Sequence, residues 1–91
     1  RRFSLNAQQF HIQLLTGRRI RLETVDYEHD TVGDLMEQIY YKEGCNVDQQ
    51  VLFFHGQVLE VKSWRLRDVV VIGYDDTEPP LLYLTLRNLG G

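Results

Sequence analysis

The sequence closes with five residues whose types suit chemistry at a carboxylate: Arg87, Asn88, Leu89, Gly90 and Gly91. Glycine has no Cβ, so an extended Gly-Gly segment can enter a narrow active-site channel and leaves its last carbonyl open to attack. The sequence therefore predicts a flexible tail over residues 88–91 that presents the Gly91 carboxylate to another protein. A Gly-Gly pair also occurs at the start of linkers or where a chain has been trimmed, and this interpretation stays open.

Few other side chains offer nucleophilic or metal-binding chemistry. The candidates are His11, His29, His55 and Cys45. They fall on a predicted strand, loop, turn and helix end, without the regular spacing of a zinc site. No histidine is near Cys45 in sequence, so a small, half-buried apolar role is predicted for it. The acidic cluster Asp75, Asp76 and Glu78 is interpreted as a solvated loop. We expect no metal, no cofactor and no enzymatic activity in the chain itself.

Length and composition indicate one small folded domain. The 91 residues are 43% hydrophobic and 25% charged, as is typical of a globular chain with a single core. The net charge is −3 and the basic residues are scattered, which argues against a nucleic-acid partner. No apolar run could cross a bilayer, no signal peptide opens the sequence, and one cysteine cannot form an internal disulfide. We expect a monomer in the cytoplasm or the nucleus.

Alternating apolar residues predict a β-hairpin near the start of the chain. Residues 9–15 alternate, and residues 18–23 alternate again after the Thr16-Gly17 break. Residues 1–8 show no period and are predicted to be an extension or a linker, with the folded domain over 9–87.

A regular helical pattern follows the hairpin. Its apolar residues recur at helical spacing and form one stripe: Val32, Leu35, Met36, Ile39 and Tyr40. Thr31 is the predicted N-cap, with Asp34 as the acidic partner in a capping box. Gly44 is predicted to end the helix in the left-handed conformation.

The second half of the chain predicts three more strands. Residues 51–55 and 58–59 form the first two around Gly56, a brief helical turn covers 66–69, and 73–80 is a loop. The last strand places Leu82, Leu84 and Leu86 on one face and Tyr83 and Thr85 on the other. The order ββαββ-loop-β predicts an α+β roll, in which one helix packs on a mixed sheet. Trp64 is expected to pack at its edge.

Several segments in this order resemble the ubiquitin family over residues 9–91. They are Leu15-Thr16-Gly17 in the hairpin turn, Lys42-Glu43-Gly44 with Asp48-Gln49-Gln50 around the helix end, residues 52–57 with Leu59-Glu60, and residues 82–87 in the last strand. The resemblance implies the β-grasp fold, with a five-stranded mixed sheet.

The resemblance also implies a protein modifier. In the family the terminal carboxylate reacts with ATP to give an acyl-adenylate, passes to an enzyme thiol as a thioester, and ends in an isopeptide bond to a target amine. Arg87 matches the residue by which activating enzymes tell family members apart, whereas Asn88 and Leu89 differ from ubiquitin. The implied partners are activating and conjugating enzymes and a deconjugating protease. Gln57 stands at the family's best-known chain-forming lysine, so we expect no chains of the usual kind.

A partner-binding face is implied as well. The positions of Leu15, Phe53, Tyr83 and Thr85 match an exposed apolar patch that small helical receptor domains of the ubiquitin-binding type recognise. Rigid aromatic side chains are common anchors in interfaces, which favours a binding role for Phe53 and Tyr83. The alternative is that a longer loop or the N-terminal extension covers them.

A second class of function stays open. The chain can be a non-conjugated ubiquitin-like domain of a larger protein, acting as an adaptor in protein–protein interactions. Its start at Arg1 rather than at methionine favours this interpretation, or a precursor of tandem units cut after Gly91.

Overall fold

The computed structural model describes residues 7–73 and 77–88. The elements follow in the order β1 (Ala7–Leu14), β2 (Arg19–Asp26), α1 (Val32–Glu43), a 3₁₀ turn (Val47–Gln49), β3 (Gln50–Phe54), β4 (Gln57–Val58), α2 (Leu66–Val69) and β5 (Leu81–Leu86). The predicted tail residues Leu89, Gly90 and Gly91 lie outside the described residues, as do the loop acids Asp75 and Asp76.

The described strands form one mixed sheet in the order β2-β1-β5-β3-β4. β1 pairs antiparallel with β2 and parallel with β5, while β3 pairs antiparallel with both β5 and β4. The last strand, β5, therefore lies in the centre of the sheet with a neighbour on each side. With α1 against the sheet, this confirms the α+β β-grasp roll predicted from the sequence.

The first hairpin forms where the sequence alternates and turns where it breaks. Gly17 adopts φ 94°, which glycine reaches at little cost, and the Leu14 N–H donates to the Arg18 carbonyl at 2.8 Å. β1 begins at Ala7, two residues before the predicted start, and Ala7 lies opposite Asp26. A register shift between Gln8 and Phe10 interrupts the alternation there. A period-two pattern therefore does not extend the strand back to Ala7 and Gln8.

The second hairpin shows why β3 and β4 both lie one residue earlier than predicted. His55 and Gly56 have φ angles of 51° and 80°, so these two residues make the turn and β3 must end at Phe54. Loops of two residues with positive φ match the twist of the flanking strands. Leu59 follows β4 directly and is buried.

The helix caps are as predicted. The Thr31 hydroxyl accepts from the Asp34 N–H at 3.1 Å, and the Asp34 carboxylate accepts from the Thr31 N–H at 2.9 Å. At the other end Gly44 is left-handed, with φ 79°, and its N–H donates to the Tyr40 carbonyl at 2.7 Å. Both ends of α1 thereby satisfy backbone groups that a helix leaves without intrahelical partners.

The core lies between α1 and the inner face of the sheet. Its buried apolar residues are Phe10, Ile12, Ile20, Leu22, Val25, Val32, Leu35, Met36, Ile39, Leu52, Phe54, Leu59, Leu66, Val70, Leu82 and Leu84. The stripe predicted for α1 is buried from Val32 to Ile39. Trp64 and Cys45 are half-buried against this cluster, as predicted.

Two residues of the predicted apolar stripe and strand face lie outside the core. Tyr40, in the last turn of α1, is 42% exposed. Leu86 is 53% exposed, although it has the strand position of a core residue. It pairs with Gln50, whose buried amide nitrogen donates to the Met36 and Cys45 carbonyls, both at 2.9 Å. The apolar core therefore ends before Leu86.

Several hydrogen bonds fix the connector between β2 and α1. Asp26 ends β2 with a buried side chain that accepts from the His29 N–H at 3.3 Å. The Asp30 carboxylate accepts from the Asp26 N–H at 2.9 Å. The Tyr27 hydroxyl donates to the Val70 carbonyl and so joins this connector to the end of α2. No helix within residues 7–73 and 77–88 is long and apolar enough to span a membrane.

Candidate partner-binding face and tail

The outer face of the sheet carries a continuous row of side chains from edge to edge. By strand register the row runs Arg19, Gln13, Tyr83, Phe53 and Val58, with one residue from each of the five strands. Successive side chains on a strand point to opposite faces, and the neighbours of these residues, such as Ile12 and Leu82, are buried in the core. The row therefore lies on the face turned away from α1.

The four residues predicted for the partner-binding face lie on this side of the sheet. Phe53 is directly opposite Tyr83, and Val51 is opposite Thr85, one row further along. Leu15 follows Leu14, which pairs with Leu84, so it lies level with Thr85 just beyond the end of β1.

Their exposure differs within the group. Leu15 is 80% exposed and Tyr83 is 51% exposed, whereas Phe53 and Thr85 are half-buried. Phe53 is flanked in its row by Tyr83 and Val58, which accounts for its partial burial. The face thus combines two half-buried residues, Phe53 and Thr85, with two more accessible ones, Leu15 and Tyr83.

A groove continues from Tyr83 toward the second hairpin. Its volume is about 640 Å³, and it lies between the His55-Gly56 turn and the segment Thr77–Leu81 before and at the start of β5. The His55 ring stacks on Phe54, with ring centroids 4.1 Å apart. Tyr83 lines both the groove and the face, so the accessible aromatic surface extends around the end of the sheet.

The tail leaves the sheet from its central strand. The Arg87 N–H donates to the Gln49 carbonyl at 2.8 Å, which extends the backbone pairing one residue past β5. Arg87 and Asn88 are both exposed. Of the five tail residues singled out by sequence, these two are placed by the structure, and Leu89, Gly90 and Gly91 lie outside the described residues.

The histidines and the cysteine are not brought together. Among residues 7–73 and 77–88, no three His, Cys, Asp or Glu side chains cluster in a way that could hold a metal ion. The His29 Nδ1 lies 3.2 Å from the Asp26 carboxylate, in a local contact within the connector. His11 is half-buried on the outer sheet face, and His55 is exposed in a turn.

Sequence reasoning missed part of the outer face. Val58 pairs with Phe53 at one edge, and Arg19 and Arg21 occupy the other edge on β2. The sequence pattern was sufficient to predict the direction of the arginine side chains. They alternate with the buried Ile20 and Leu22 and must therefore point away from the core. Their distance from Tyr83 depends on the strand order, which no local pattern gives.

Comparison with known proteins identifies the family. A family model described as the ubiquitin family matches residues 10–69. The match runs from β1 through α2 and includes Leu15 and Phe53. It stops before Tyr83, Thr85 and the tail.

Proposed function

Because the chain belongs to the ubiquitin family, we propose that it is a ubiquitin-like protein modifier, conjugated through the Gly91 carboxylate and recognised through its aromatic sheet face. The observation that carries this proposal is the position of Arg87. It is exposed and backbone-paired directly after the central strand, so the residues that follow start from a rigid base. An activating enzyme could therefore contact the folded domain and the tail together.

The chemistry would be performed on this chain by other proteins. The Gly91 carboxylate attacks the α-phosphate of ATP, which forms the acyl-adenylate and releases pyrophosphate. An enzyme thiol displaces AMP to form a thioester, and a target amine displaces the thiol to form an amide. The chain contributes an unhindered terminal carbonyl, because neither Gly90 nor Gly91 has a Cβ. We propose no catalytic residue within it.

Recognition of the modifier would use the outer sheet face. Exposed apolar residues that are contiguous on a surface are typical of protein-binding sites, and Leu15 and Tyr83 provide them on either side of Thr85. Phe53 lies directly opposite Tyr83 on the neighbouring strand. Receptor domains of the ubiquitin-binding type would dock here.

A second candidate function is favoured by the same face. The face is built entirely from residues of the folded domain, and its recognition needs no free carboxylate at Gly91. A non-conjugated ubiquitin-like domain of a larger protein, acting as an adaptor, would use the face in the same way.

Mass spectrometry of the protein from its own cells distinguishes the two functions. Trypsin cleaves after Arg87, so a conjugated lysine would keep an Asn-Leu-Gly-Gly branch on its side chain. Cells expressing the tagged full-length protein would be compared with cells expressing a Gly90-Gly91 deletion, which retains the fold but cannot form the branch. We expect branched target peptides only with the intact protein.

The same experiment can also reject the modifier function. If the branch is absent at high coverage and peptides continue past Gly91, the modifier function is wrong and the adaptor function stands. Branched peptides that persist in the deletion would show that they come from another protein.

A further inference from the structure

One edge of the sheet is formed by β2. Among the described strands, β2 pairs with β1 and has no neighbour on its other side. The backbone groups of alternate residues in an antiparallel strand point to opposite sides, and the hydrogen bond from the Leu14 N–H to the Arg18 carbonyl sets that alternation here. The N–H and C=O groups of Arg19 and Arg21 therefore point to the free side, where they can pair with a further strand.

The exposed side chains of this edge differ in the sign of their charge. Arg19, Arg21 and Glu23 are exposed and alternate with the buried Ile20 and Leu22. Within the described residues, neither Arg21 nor Glu23 forms an ion pair. Charges of one sign on an edge strand keep two such edges apart. Charges of both signs allow the edge to attract an antiparallel copy of itself.

The charges favour one register for this pairing. When Leu22 lies opposite its own copy, Arg21 lies opposite Glu23 twice by symmetry, and no like charges meet. When Arg21 lies opposite its own copy, two guanidinium groups face each other and offset the two Arg19–Glu23 pairs of that register. Opposite charges directly across a strand pair are stabilising and like charges are destabilising, so the register centred on Leu22 is the better one.

The new strand pair would be short. The β1–β2 register shifts after Leu22, and a shift of this kind bends the strand and ends regular pairing within a few residues. A groove of about 420 Å³ beside the edge, between β2 and α1, offers further contact area. Its lining includes Arg21, Glu23 and the ring of Tyr41, which is 81% exposed. A second copy paired along the edge would bury part of this accessible aromatic surface.

We propose that two copies of this chain associate through the β2 edge as a symmetric antiparallel pair, with Arg21 of each copy opposite Glu23 of the other. The same patch serves both copies, as in most two-fold dimers. This differs from the monomer expected from the sequence. It also goes beyond the proposed function, because it uses neither Gly91 nor the aromatic residues of the outer face.

The dimer would carry two outer faces on the same side of one continuous sheet, because the two-fold axis of an antiparallel strand pair is perpendicular to the sheet. The strand order places Tyr83 two strands from the β2 edge, so five strand spacings, about 24 Å, separate the two Tyr83 residues. Two linked faces bind a partner that has two sites more tightly than one face does.

Charge reversal tests the pairing. Sedimentation velocity over a wide range of concentrations gives the dissociation constant of the 91-residue chain. Arg21→Glu and Glu23→Arg each place like charges opposite one another, and we expect either variant alone to associate about tenfold or more weakly than the wild type. An equal mixture of the two variants should associate as tightly as the wild type, because the mixed pair restores both opposite-charge contacts.

Matched controls reverse charges away from the edge. Arg65→Glu and Glu60→Arg alter the net charge by the same amounts at exposed positions outside β2. Neither should separate the two copies, alone or mixed. The amide spectrum of each variant shows whether it is folded. In the wild type, exchange of the Arg21 amide hydrogen should slow as the concentration rises, and this measurement needs no substitution.

Several results would overturn the inference. A chain that stays monomeric at every concentration, or an Arg21 amide whose exchange is independent of concentration, has no such interface. Association that is unchanged by Arg21→Glu and by Glu23→Arg uses another surface. If Arg19→Glu associates with Glu23→Arg on mixing and Arg21→Glu does not, the edges pair in the other register. Conjugation at Gly91 is tested separately and stands or fails independently of these results.

Discussion

Phe53 of β3 lies directly opposite Tyr83 of β5 on the outer face of the sheet. The two residues are separated by thirty positions in sequence, and only the return of the chain to the sheet centre through β5 brings them together. Directly opposed residues in an antiparallel pair have their Cβ atoms about 5 Å apart, close enough for the side chains to support one another. Phe53 is half-buried and Tyr83 is 51% exposed, so Tyr83 is the residue of this pair that a partner reaches more easily.

The first prediction separates binding from stability at this pair. Tyr83→Ala should lower the free energy of unfolding by less than about 1 kcal/mol, because it removes one cross-strand contact from a side chain that is half in solvent. It should weaken binding of a helical partner about tenfold or more, as loss of an aromatic anchor does. Urea denaturation and amide-shift titration measure the two effects.

Leu86→Ala is the control for Tyr83→Ala. Leu86 is on the same strand and is 53% exposed, against 51% for Tyr83, but its side chain lies on the opposite face of the sheet. We expect it to leave binding at the outer face unchanged. Equal losses of affinity in the two variants would mean that the aromatic face is not the binding site.

Much of the fold was predictable because residues that are close together in the sequence determine it. The Thr31–Asp34 capping box, the apolar stripe from Val32 to Ile39 and the left-handed Gly44 are determined within about one turn of α1, and all three are as predicted. The same holds for the hairpin turn at Gly17, where a glycine interrupts two alternating strands.

The predictions that failed concern residues whose burial or neighbours depend on elements distant in the sequence. Tyr40 and Leu86 have the right period for burial but lie in the last turn of α1 and at the end of β5. The period of a strand or helix does not show how far the opposing layer extends. The basic edge formed by Arg19 and Arg21 was missed for a similar reason. The alternation gives their direction, but their place beside the aromatic row follows from the strand order β2-β1-β5-β3.

The second prediction concerns the end of α1. Gly44→Ala should destabilise the protein by about 1–2 kcal/mol, because a residue with a Cβ is strained in the left-handed conformation. A Cβ at this position would meet no atom within 4 Å, so the cost is conformational rather than steric. Thermal unfolding should show a lower midpoint, by about 4–8 °C per kcal/mol for a chain of this size.

Gly44→Asn is the informative comparison, since asparagine adopts the left-handed conformation more easily than alanine. It should recover part of the stability that Gly44→Ala loses. If both substitutions leave the unfolding midpoint unchanged, the left-handed Gly44 does not determine the helix end.

The third prediction compares two Arg–Glu ion pairs that differ in burial. Glu43 pairs with Arg18, and its side chain is only 9% exposed, whereas Glu28 pairs with Arg67 and is 49% exposed. Arg67→Ala should change the free energy of unfolding by less than about 1 kcal/mol, as is usual for surface pairs. Arg18→Ala should cost more, because it leaves a nearly buried carboxylate without its partner.

Denaturation at low and high salt tests this comparison. Glu43→Gln in the Arg18→Ala background should restore part of the lost stability, because it removes the unpaired charge. If Arg18→Ala and Arg67→Ala are equally mild, Glu43 is solvated in the folded protein and the pair is an ordinary surface contact.

The fourth prediction is a loss of stability at alkaline pH that depends on Tyr27. Burial raises the pKa of this phenol above 10.0, and the nearby Glu28 and Asp68 carboxylates act in the same direction, against a backbone hydrogen bond with Ile72. Above pH 10 the unfolded chain therefore loses the Tyr27 proton while the folded chain keeps it, so the stability that the neutral phenol contributes falls as pH rises through its folded pKa.

Tyr27→Phe should remove this alkaline loss and cost about 1 kcal/mol at neutral pH, because the hydrogen bond to the Val70 carbonyl is absent. Tyr41→Phe is the matched control, since it deletes a hydroxyl from a side chain that is 81% exposed. Urea denaturation from pH 7 upward should give a steeper decline for the wild type and Tyr41→Phe than for Tyr27→Phe. Parallel declines in all three proteins would mean that the Tyr27 hydroxyl is as accessible to solvent when folded as when unfolded, and that its contact with Val70 does not hold the connector to α2.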